Sequence, residues 1–93
     1  MNIAILGIHK QNMEKENKII VYSTQQCPWC HVAKNFFKEH GIEFQDMDVG
    51  KDRKAAQEMV EKSGQMGVPV IDINGSIIIG FNEAKIRQLL KIE

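Results

Sequence analysis

The four residues Cys27-Pro28-Trp29-Cys30 directly follow a short apolar segment, and this placement strongly limits what the chain can form. The segment 19–22 is β-branched and aromatic and is bounded by polar residues, which is typical of a buried strand. Proline is favoured at the first position of a helix, because the N–H that it lacks would have no intrahelical partner there. The sequence therefore predicts a strand, a loop and a helix in succession, with Cys27 as the N-cap of the helix.

The N-cap position gives the Cys27 sulfur a distinct chemical environment. The free N–H groups of Trp29 and Cys30 would point toward this sulfur, and the helix dipole favours negative charge at the same end. We therefore expect Cys27 to be the attacking thiolate. Cys30 lies one turn inside the helix, so we expect it to be the resolving thiol that attacks a mixed disulfide on Cys27.

The composition indicates one small domain with a single core. The chain has 93 residues, of which 43% are apolar, and a formal net charge of zero. Balanced charge argues against nucleic-acid binding, and no apolar segment approaches the roughly 18 residues that cross a bilayer. A secreted disulfide scaffold would need more cysteines than one C-x-x-C, so the pair is expected to be redox-active or metal-binding in a reducing compartment. Because signal-peptide features are also missing, we expect a cytoplasmic protein. We also expect the protein to be a monomer.

The first 18 residues do not fit this domain pattern. Residues 1–18 are interpreted as an N-terminal extension of uncertain structure, and residues 19–93 as the domain. The predicted first strand follows Met13 almost immediately. We hypothesise that Met13 is the native start, and the intact mass of the protein from its natural source tests this.

The remainder of the domain alternates helices and strands. Apolar spacing predicts helices over 28–40 and 51–62 and a third helix that begins after Asn82 as N-cap, with strands over 42–49, 68–73 and 76–79. The dipeptide Asn74-Gly75 best fits a type I′ turn, so the last two strands should form a hairpin. The first two strands, joined through a helix, should be parallel. The predicted α/β fold is a four-stranded mixed sheet with three helices in the order β-α-β-α-β-β-α.

Three motifs in this order resemble those of the glutaredoxin-like proteins of the thioredoxin-fold superfamily. They are the segment 22–31 around the two cysteines, Val68-Pro69 and Gly80-Phe81-Asn82. More narrowly, the chain is similar to the small bacterial group that carries Cys-Pro-Trp-Cys, with a looser likeness to the redoxins that donate electrons to ribonucleotide reductase. The resemblance covers about residues 19–90.

The resemblance implies a glutaredoxin-type fold with a cis peptide bond before Pro69. In that arrangement the backbone of Val68 would pair with a bound substrate as a short antiparallel strand. The alternative is a trans proline that only begins a strand. The residues that the resemblance implies for substrate or glutathione binding are Thr24, Pro28, Trp29, Val68, Pro69, Gly80, Phe81 and Asn82.

The chain departs from the family pattern where glutathione would be bound. Typical glutaredoxins have a lysine three residues before the first cysteine and a polar or basic residue on the second helix. Here these positions are Thr24 and Ala56. Charge-assisted contacts worth about 1.5–3 kcal/mol each are therefore missing at two places. Glutathione is thus expected to bind weakly through backbone contacts, or not to be the physiological reductant.

These observations predict a disulfide oxidoreductase without a bound cofactor, in which Cys27 and Cys30 are the catalytic residues. Its partners would be disulfide-containing proteins or small molecules, with glutathione as a possible co-substrate or a flavoprotein reductase as electron source. One alternative is a dedicated electron donor to ribonucleotide reductase that is served by thioredoxin reductase. Another is a zinc or iron–sulfur protein, for which the candidate additional ligands are His31 and either His9 or His40, although the usual second cysteine pair is missing.

Overall fold

The sheet is built around a buried first strand, as the apolar segment predicts. A computed structural model describes residues 17–92. The strands are β1 (Ile19–Ser23), β2 (Gln45–Asp48), β3 (Val70–Ile73) and β4 (Ser76–Ile79). The helices are α1 (Pro28–Glu39), α2 (Arg53–Ser63) and α3 (Glu83–Leu90). The element order is therefore the predicted one, β-α-β-α-β-β-α.

The four strands lie in the order β2-β1-β3-β4, and all five residues of β1 are buried. β1 pairs in parallel with β2 and antiparallel with β3, and β3 pairs antiparallel with β4. The first two strands are joined through α1, because parallel neighbours need a crossover connection. The prediction of a mixed four-stranded sheet with three helices is confirmed, and the fold is thioredoxin-like.

The alternating side chains of β1 divide the core into two layers. Val21 packs with Phe37 of α1 and Ile86 of α3 on one face of the sheet. Tyr22 packs with Met59 of α2 on the other face. Successive strand residues point to opposite faces, so the one strand supplies both layers.

A polar network fastens α2 to the sheet. The Lys62 ammonium group donates to the Tyr22 hydroxyl and to Asp72 Oδ2, both at 2.7 Å, and Tyr22 donates to Glu58 at 2.8 Å. Burial raises the pKa of Tyr22, opposed by the hydrogen bond from Lys62. Burial alone would lower the pKa of Lys62, but its hydrogen bonds to the three partners raise it above the ordinary value.

The hairpin turn has the predicted conformation and also holds the beginning of the described chain. Asn74 and Gly75 both have positive φ, 53° and 94°, which a type I′ turn requires. Asn74 Oδ1 accepts a hydrogen bond from the Lys18 amide, and its side-chain amide donates to Asn17. The predicted extension 1–18 and the Met13 hypothesis otherwise lie outside the described residues.

The predicted boundaries of the second strand and the second helix are wrong. The backbone at 42–44 does not belong to β2, because the Ile42 amide donates to the Phe37 carbonyl and continues the turn after α1. Ile42 and Phe44 nevertheless pack against the core, which explains their strand-like pattern. The second helix begins at Arg53, not at 51, because the Asp52 side chain accepts from the Ala55 amide as the N-cap.

Several of the other predicted boundaries differ from the structure by one or two residues. β1 includes Ser23, which pairs with Asp48, and α1 ends at Glu39. β3 begins at Val70, not at 68. The hairpin strand Ser76–Ile79 has the predicted bounds. No helix among residues 17–92 has the length and apolar character needed to cross a membrane.

Candidate active site

Cys27 is the N-cap of α1, as the sequence predicts. Its backbone is extended, with φ −91° and ψ 111°, and Pro28 begins the helix. The Cys30 amide donates to the Cys27 sulfur at 3.2 Å, which satisfies one of the free donors of the first turn. Among the described residues, this is the only amide that donates to the Cys27 sulfur, so the second expected donor, Trp29, does not contribute.

The two thiols differ sharply in their access to solvent. Cys27 is partly exposed, whereas Cys30 is completely buried, and the two are not joined by a disulfide. Burial raises the pKa of the Cys30 thiol to about 12, and the hydrogen bond with Cys27 acts in the same direction. A hydrogen bond from the Thr24 amide and the positive charge of Lys34 oppose this shift. The high pKa keeps Cys30 protonated at neutral pH. Because Cys30 is also fully buried, Cys27 is the thiol that an incoming disulfide can reach.

The loop before β3 lies against Cys27. The Cys27 thiol donates to the Val68 carbonyl oxygen, with 3.8 Å between the two heavy atoms. The peptide bond between Val68 and Pro69 is cis, as the resemblance implies. The side chain of Gln65 braces this loop, accepting from the Gly67 amide at 2.8 Å and donating to the Gly67 carbonyl at 3.0 Å. The first cysteine and the backbone of Val68 thus lie together, and the pairing of Val68 with a bound substrate remains a prediction.

An aromatic surface lies beside the two cysteines. The Trp29 ring stacks on the Phe81 ring with centroids 6.3 Å apart, and 60% of Trp29 is exposed. Phe81 also contacts Phe36 edge-to-face at 5.7 Å, so the buried ring of α1 supports the exposed pair. Trp29 therefore has no place in the core and is available to a molecule that approaches Cys27.

The remaining predicted binding residues lie either in loops or at the start of a helix. Thr24 lies between β1 and Cys27, and Gly80, with φ 83°, donates its amide to the Pro69 carbonyl at 2.8 Å. Asn82 is the N-cap of α3, where its side chain accepts from the Lys85 amide at 3.1 Å. The side-chain oxygen of Asn82 is thus used by the helix, and its role toward a substrate remains a prediction.

The histidine rings that are candidate metal ligands form hydrogen bonds with backbone carbonyls. The rings of His31 and His40 form hydrogen bonds with the carbonyls of Gln25 and Phe36, both at 2.9 Å. His9 lies outside the described residues. Within 17–92, no group of three or more His, Cys, Asp or Glu side chains is arranged to hold a metal ion.

Sequence reasoning missed a polar cluster close to Cys30. Lys34 of α1 bonds to Asp46 of β2 at 3.0 Å and to Ser23 of β1 at 3.3 Å, and Ser23 donates to Asp46 at 2.8 Å. We call these three residues the Lys34 cluster. Lys34 follows Cys30 by four residues, the spacing that puts two helical side chains on one face, and this spacing was the available signal.

A large open groove lies along the same side of α1. It encloses about 710 Å³ and is lined by residues that include Lys34, Phe44 and Asp46. Cys27 does not line this groove, so the groove and the exposed sulfur are separate features of the surface.

Comparison with known proteins agrees with this arrangement. The family model described as Glutaredoxin matches residues 19–78, which contain both cysteines and the cis proline. The chain belongs to the glutaredoxin family. It is a glutaredoxin-like member of a family of thiol oxidoreductases.

One glutaredoxin relative matches almost over its whole length. An uncharacterized glutaredoxin-like 8.6 kDa protein in the rubredoxin operon of Clostridium pasteurianum is 48% identical over 73 residues. The match covers 78% of this chain and 97% of that protein.

Two solved structures are also similar to this glutaredoxin-family chain. A mutant of the thioredoxin-like protein BC3987 has a TM-score of 0.77 and 33% identity, and the match covers 81% of this chain and 96% of that one. The glutaredoxin-like NrdH-redoxin of Escherichia coli, described as having a thioredoxin-like activity profile, has a TM-score of 0.69 and 25% identity. That match covers 77% of this chain and 93% of the redoxin.

Proposed function

We propose that this chain reduces protein or small-molecule disulfides through a Cys27/Cys30 dithiol. The single observation that carries the proposal is the contrast between the two sulfurs. Cys27 is partly exposed at a helix N-terminus, and its sulfur accepts a hydrogen bond from the Cys30 amide. Cys30 is fully buried one turn deeper in the helix. A surface nucleophile and a protected second thiol are what a two-step disulfide exchange needs.

In the first step, the Cys27 thiolate attacks one sulfur of the substrate disulfide. A mixed disulfide forms between Cys27 and that sulfur, and the other substrate sulfur leaves as a thiolate. In the second step, Cys30 loses its proton and attacks the Cys27 sulfur. The Cys27–Cys30 disulfide forms, the first substrate sulfur leaves and takes up a proton, and the substrate has gained two electrons. Glutathione or a flavoprotein reductase then reduces the Cys27–Cys30 disulfide.

A substrate would lie between Trp29 and the loop that carries Val68. The Val68 carbonyl is already within 3.8 Å of the Cys27 sulfur, so a substrate strand that pairs with the Val68 backbone would bring its disulfide to Cys27. The exposed Trp29 ring offers an apolar contact beside the same sulfur. For glutathione as co-substrate, we propose backbone contacts from Val68 and Phe81-Asn82, with Thr24, Pro28, Pro69 and Gly80 lining the site.

Changing each cysteine separately tests the assigned roles. Cys27→Ser should abolish reduction of a disulfide substrate, because no accessible thiol remains. Cys30→Ser should retain the first step and accumulate a covalent adduct on Cys27, visible by intact-mass analysis. Equal loss of adduct formation in both variants would contradict the assignment.

A dedicated electron donor to ribonucleotide reductase is the second candidate. Two features favour it: Thr24 and Ala56 carry no charge where typical glutaredoxins bind glutathione, and the similar NrdH-redoxin has a thioredoxin-like activity profile. The discriminating experiment is an NADPH-coupled assay run in parallel with thioredoxin reductase and with glutathione plus glutathione reductase. Turnover with thioredoxin reductase alone supports the electron donor, whereas turnover with glutathione alone contradicts it.

A further inference from the structure

The Lys34 side chain is mostly buried, although it also lines the open groove along the helix that carries both cysteines. Only 16% of the Lys34 side chain is exposed, although a lysine on a helix surface usually extends its amine into water. Its position four residues after Cys30 puts the two side chains on one face of α1, one turn apart. This spacing places the cation on the same face of α1 as the fully buried resolving thiol.

Two strands fix the position of this cation. Lys34 Nζ lies 3.0 Å from Asp46 Oδ2 and 3.3 Å from Ser23 Oγ, and Ser23 in turn donates to Asp46 Oδ1 at 2.8 Å. Ser23 is 2% exposed, so its hydroxyl belongs to the interior. The residue that follows it is Thr24, whose backbone lowers the pKa of the Cys30 thiol and so opposes the effect of burial. The Lys34 cluster thus reaches the resolving thiol through the helix and through the end of β1.

The resolving step requires negative charge on the Cys30 sulfur, which is shielded from solvent. Cys30 is 0% exposed, and it must lose its proton when it attacks the mixed disulfide. Burying an anion without a partner is costly, and a fixed positive group nearby reduces that cost more effectively in a protein interior than in water. Lys34 is placed to supply this positive charge. Its ion pair with the Asp46 carboxylate weakens the effect of that charge on Cys30.

We propose that Lys34 is a positioning residue for the resolving step, in which its ammonium group, fixed by Ser23 and Asp46, stabilises the negative charge on Cys30. The proposal rests on the proposed dithiol function and adds a residue to it. The other ionisable groups near this end of α1 are engaged elsewhere: the His31 ring bonds to the Gln25 carbonyl, and Asp48 accepts from the Gly50 and Lys51 amides. Cys27 is in the mixed disulfide at this step and carries no charge.

The two steps can be followed separately with 4,4′-dithiodipyridine. The Cys27 thiolate attacks this uncharged disulfide, and one thiopyridone is released after its ring nitrogen takes up a proton from water. Cys30 then attacks the mixed disulfide, the Cys27–Cys30 bond forms, and the second thiopyridone leaves with the Cys30 proton. In stopped-flow absorbance, the first phase depends on reagent concentration, whereas the second is intramolecular and does not. Because the reagent is neutral, a change of charge at position 34 does not alter its attraction to the protein.

Opposite changes of charge should have opposite effects on the second phase. A shift of one unit in the thiol pKa changes the thiolate fraction tenfold and the nucleophilicity about threefold in the other direction, leaving a net effect of about threefold. We expect Lys34→Met to slow the second phase about threefold and Asp46→Asn to accelerate it about twofold. Lys34→Arg should stay close to the wild-type rate because it keeps the charge.

The matched control is Lys38→Met, which removes the same charge from an exposed position one turn further along α1. It should leave both phases close to their wild-type rates. In Lys34→Met the first phase should also be unchanged, which would show that the Cys27 site is folded. The rate of the second phase should level off at a higher pH than in the wild-type protein, because Cys30 would lose its proton less readily.

Two results would overturn the inference. If Lys34→Met and Asp46→Asn slow the second phase alike, the cluster is an ion pair that only stabilises the fold. If neither variant changes the second phase, the charge on Lys34 does not act on Cys30. Failure of the dithiol function itself looks different, because the wild-type protein would then release only one thiopyridone or none.

Discussion

Lys62 Nζ lies 2.7 Å from Asp72 Oδ2, so that a cation of α2 meets a carboxylate of β3 that is almost completely buried. The same ammonium group donates to the hydroxyl of the buried Tyr22. These contacts join the end of α2 to the middle of the sheet. Lys62 is therefore more important for stability than a lysine on a solvated helix face.

We expect Lys62→Met to lower the free energy of unfolding by about 2 kcal/mol, because Asp72 would lose its charged partner in a buried position. Urea denaturation at neutral pH measures this. Lys54→Met removes an exposed lysine from the same helix and should change stability by less than about 0.5 kcal/mol. Equal denaturation midpoints for the two variants would contradict the assigned contribution of Lys62.

The reduced protein should lose stability as the pH rises above about 8.5, the ordinary pKa of a cysteine thiol. Burial raises the pKa of Cys30 to about 12 in the folded chain. The unfolded chain therefore releases this proton first and binds fewer protons than the folded chain between the two pKa values. The contribution to stability is fully present below about pH 8.5 and decreases by up to about 1.4 kcal/mol per pH unit above it.

Urea denaturation of the reduced protein at a series of pH values measures this decrease, and the Cys30→Ala variant is the control. The variant keeps Cys27, so the difference between the two pH profiles isolates the buried thiol. Parallel profiles would show that burial of Cys30 does not couple folding to proton release.

Trp29→Ala should weaken reduction of a protein disulfide without changing the attack of Cys27 on a small reagent. The exposed ring supplies contact area to a bound protein, and its loss should lower kcat/KM by about tenfold, equivalent to about 1.4 kcal/mol. The reaction with 4,4′-dithiodipyridine should change by less than about twofold, since this reagent is too small to need the ring. Comparing the two substrates measures the effect.

Val32→Ala is the control for Trp29, because it shortens another exposed apolar residue on α1, 41% exposed and further from Cys27 along the helix. It should leave both reactions almost unchanged. A similar loss in both variants would point to a general effect on α1 and against a substrate contact at Trp29.

Thr24→Lys should improve the use of glutathione as reductant. A lysine three residues before Cys27 adds a positive charge where typical glutaredoxins hold the glutathione carboxylate, and we expect kcat/KM for glutathione to rise about tenfold. The assay couples glutathione oxidation to glutathione reductase and NADPH. Gln25→Lys adds the same charge at the next, exposed loop position and should give a much smaller gain. Equal gains would indicate general attraction of an anion and not a specific contact.

The sequence predicted those features that depend on neighbouring residues. Cys27 and Asn82 are N-caps, and Asn74-Gly75 forms the hairpin turn, because each follows a local rule of side-chain or backbone geometry. The predicted strand start at Ile42 is wrong for a related reason. Its side chain packs against the core as a strand residue would, but its amide bonds to the end of α1, which a hydrophobic pattern does not report.

The Lys34 cluster could not be predicted in this way. It joins a helix and two strands, and Ser23 can reach Asp46 only because β1 and β2 pair in parallel with Val21 opposite Asp46 and Ser23 opposite Asp48. A shift of this register by one residue would turn the Asp46 side chain to the other face of the sheet. The distance between Lys34 and its partners is therefore a property of the assembled sheet.

The chain has one tryptophan, and it is the residue that stacks on Phe81 beside the exposed sulfur. When the indole ring alone is excited, all of the fluorescence therefore comes from the residue beside Cys27. Oxidation, adduct formation and docking of a partner all change the surroundings of that ring. The native protein thus carries its own optical reporter, and each step at Cys27 can be timed without attaching a label.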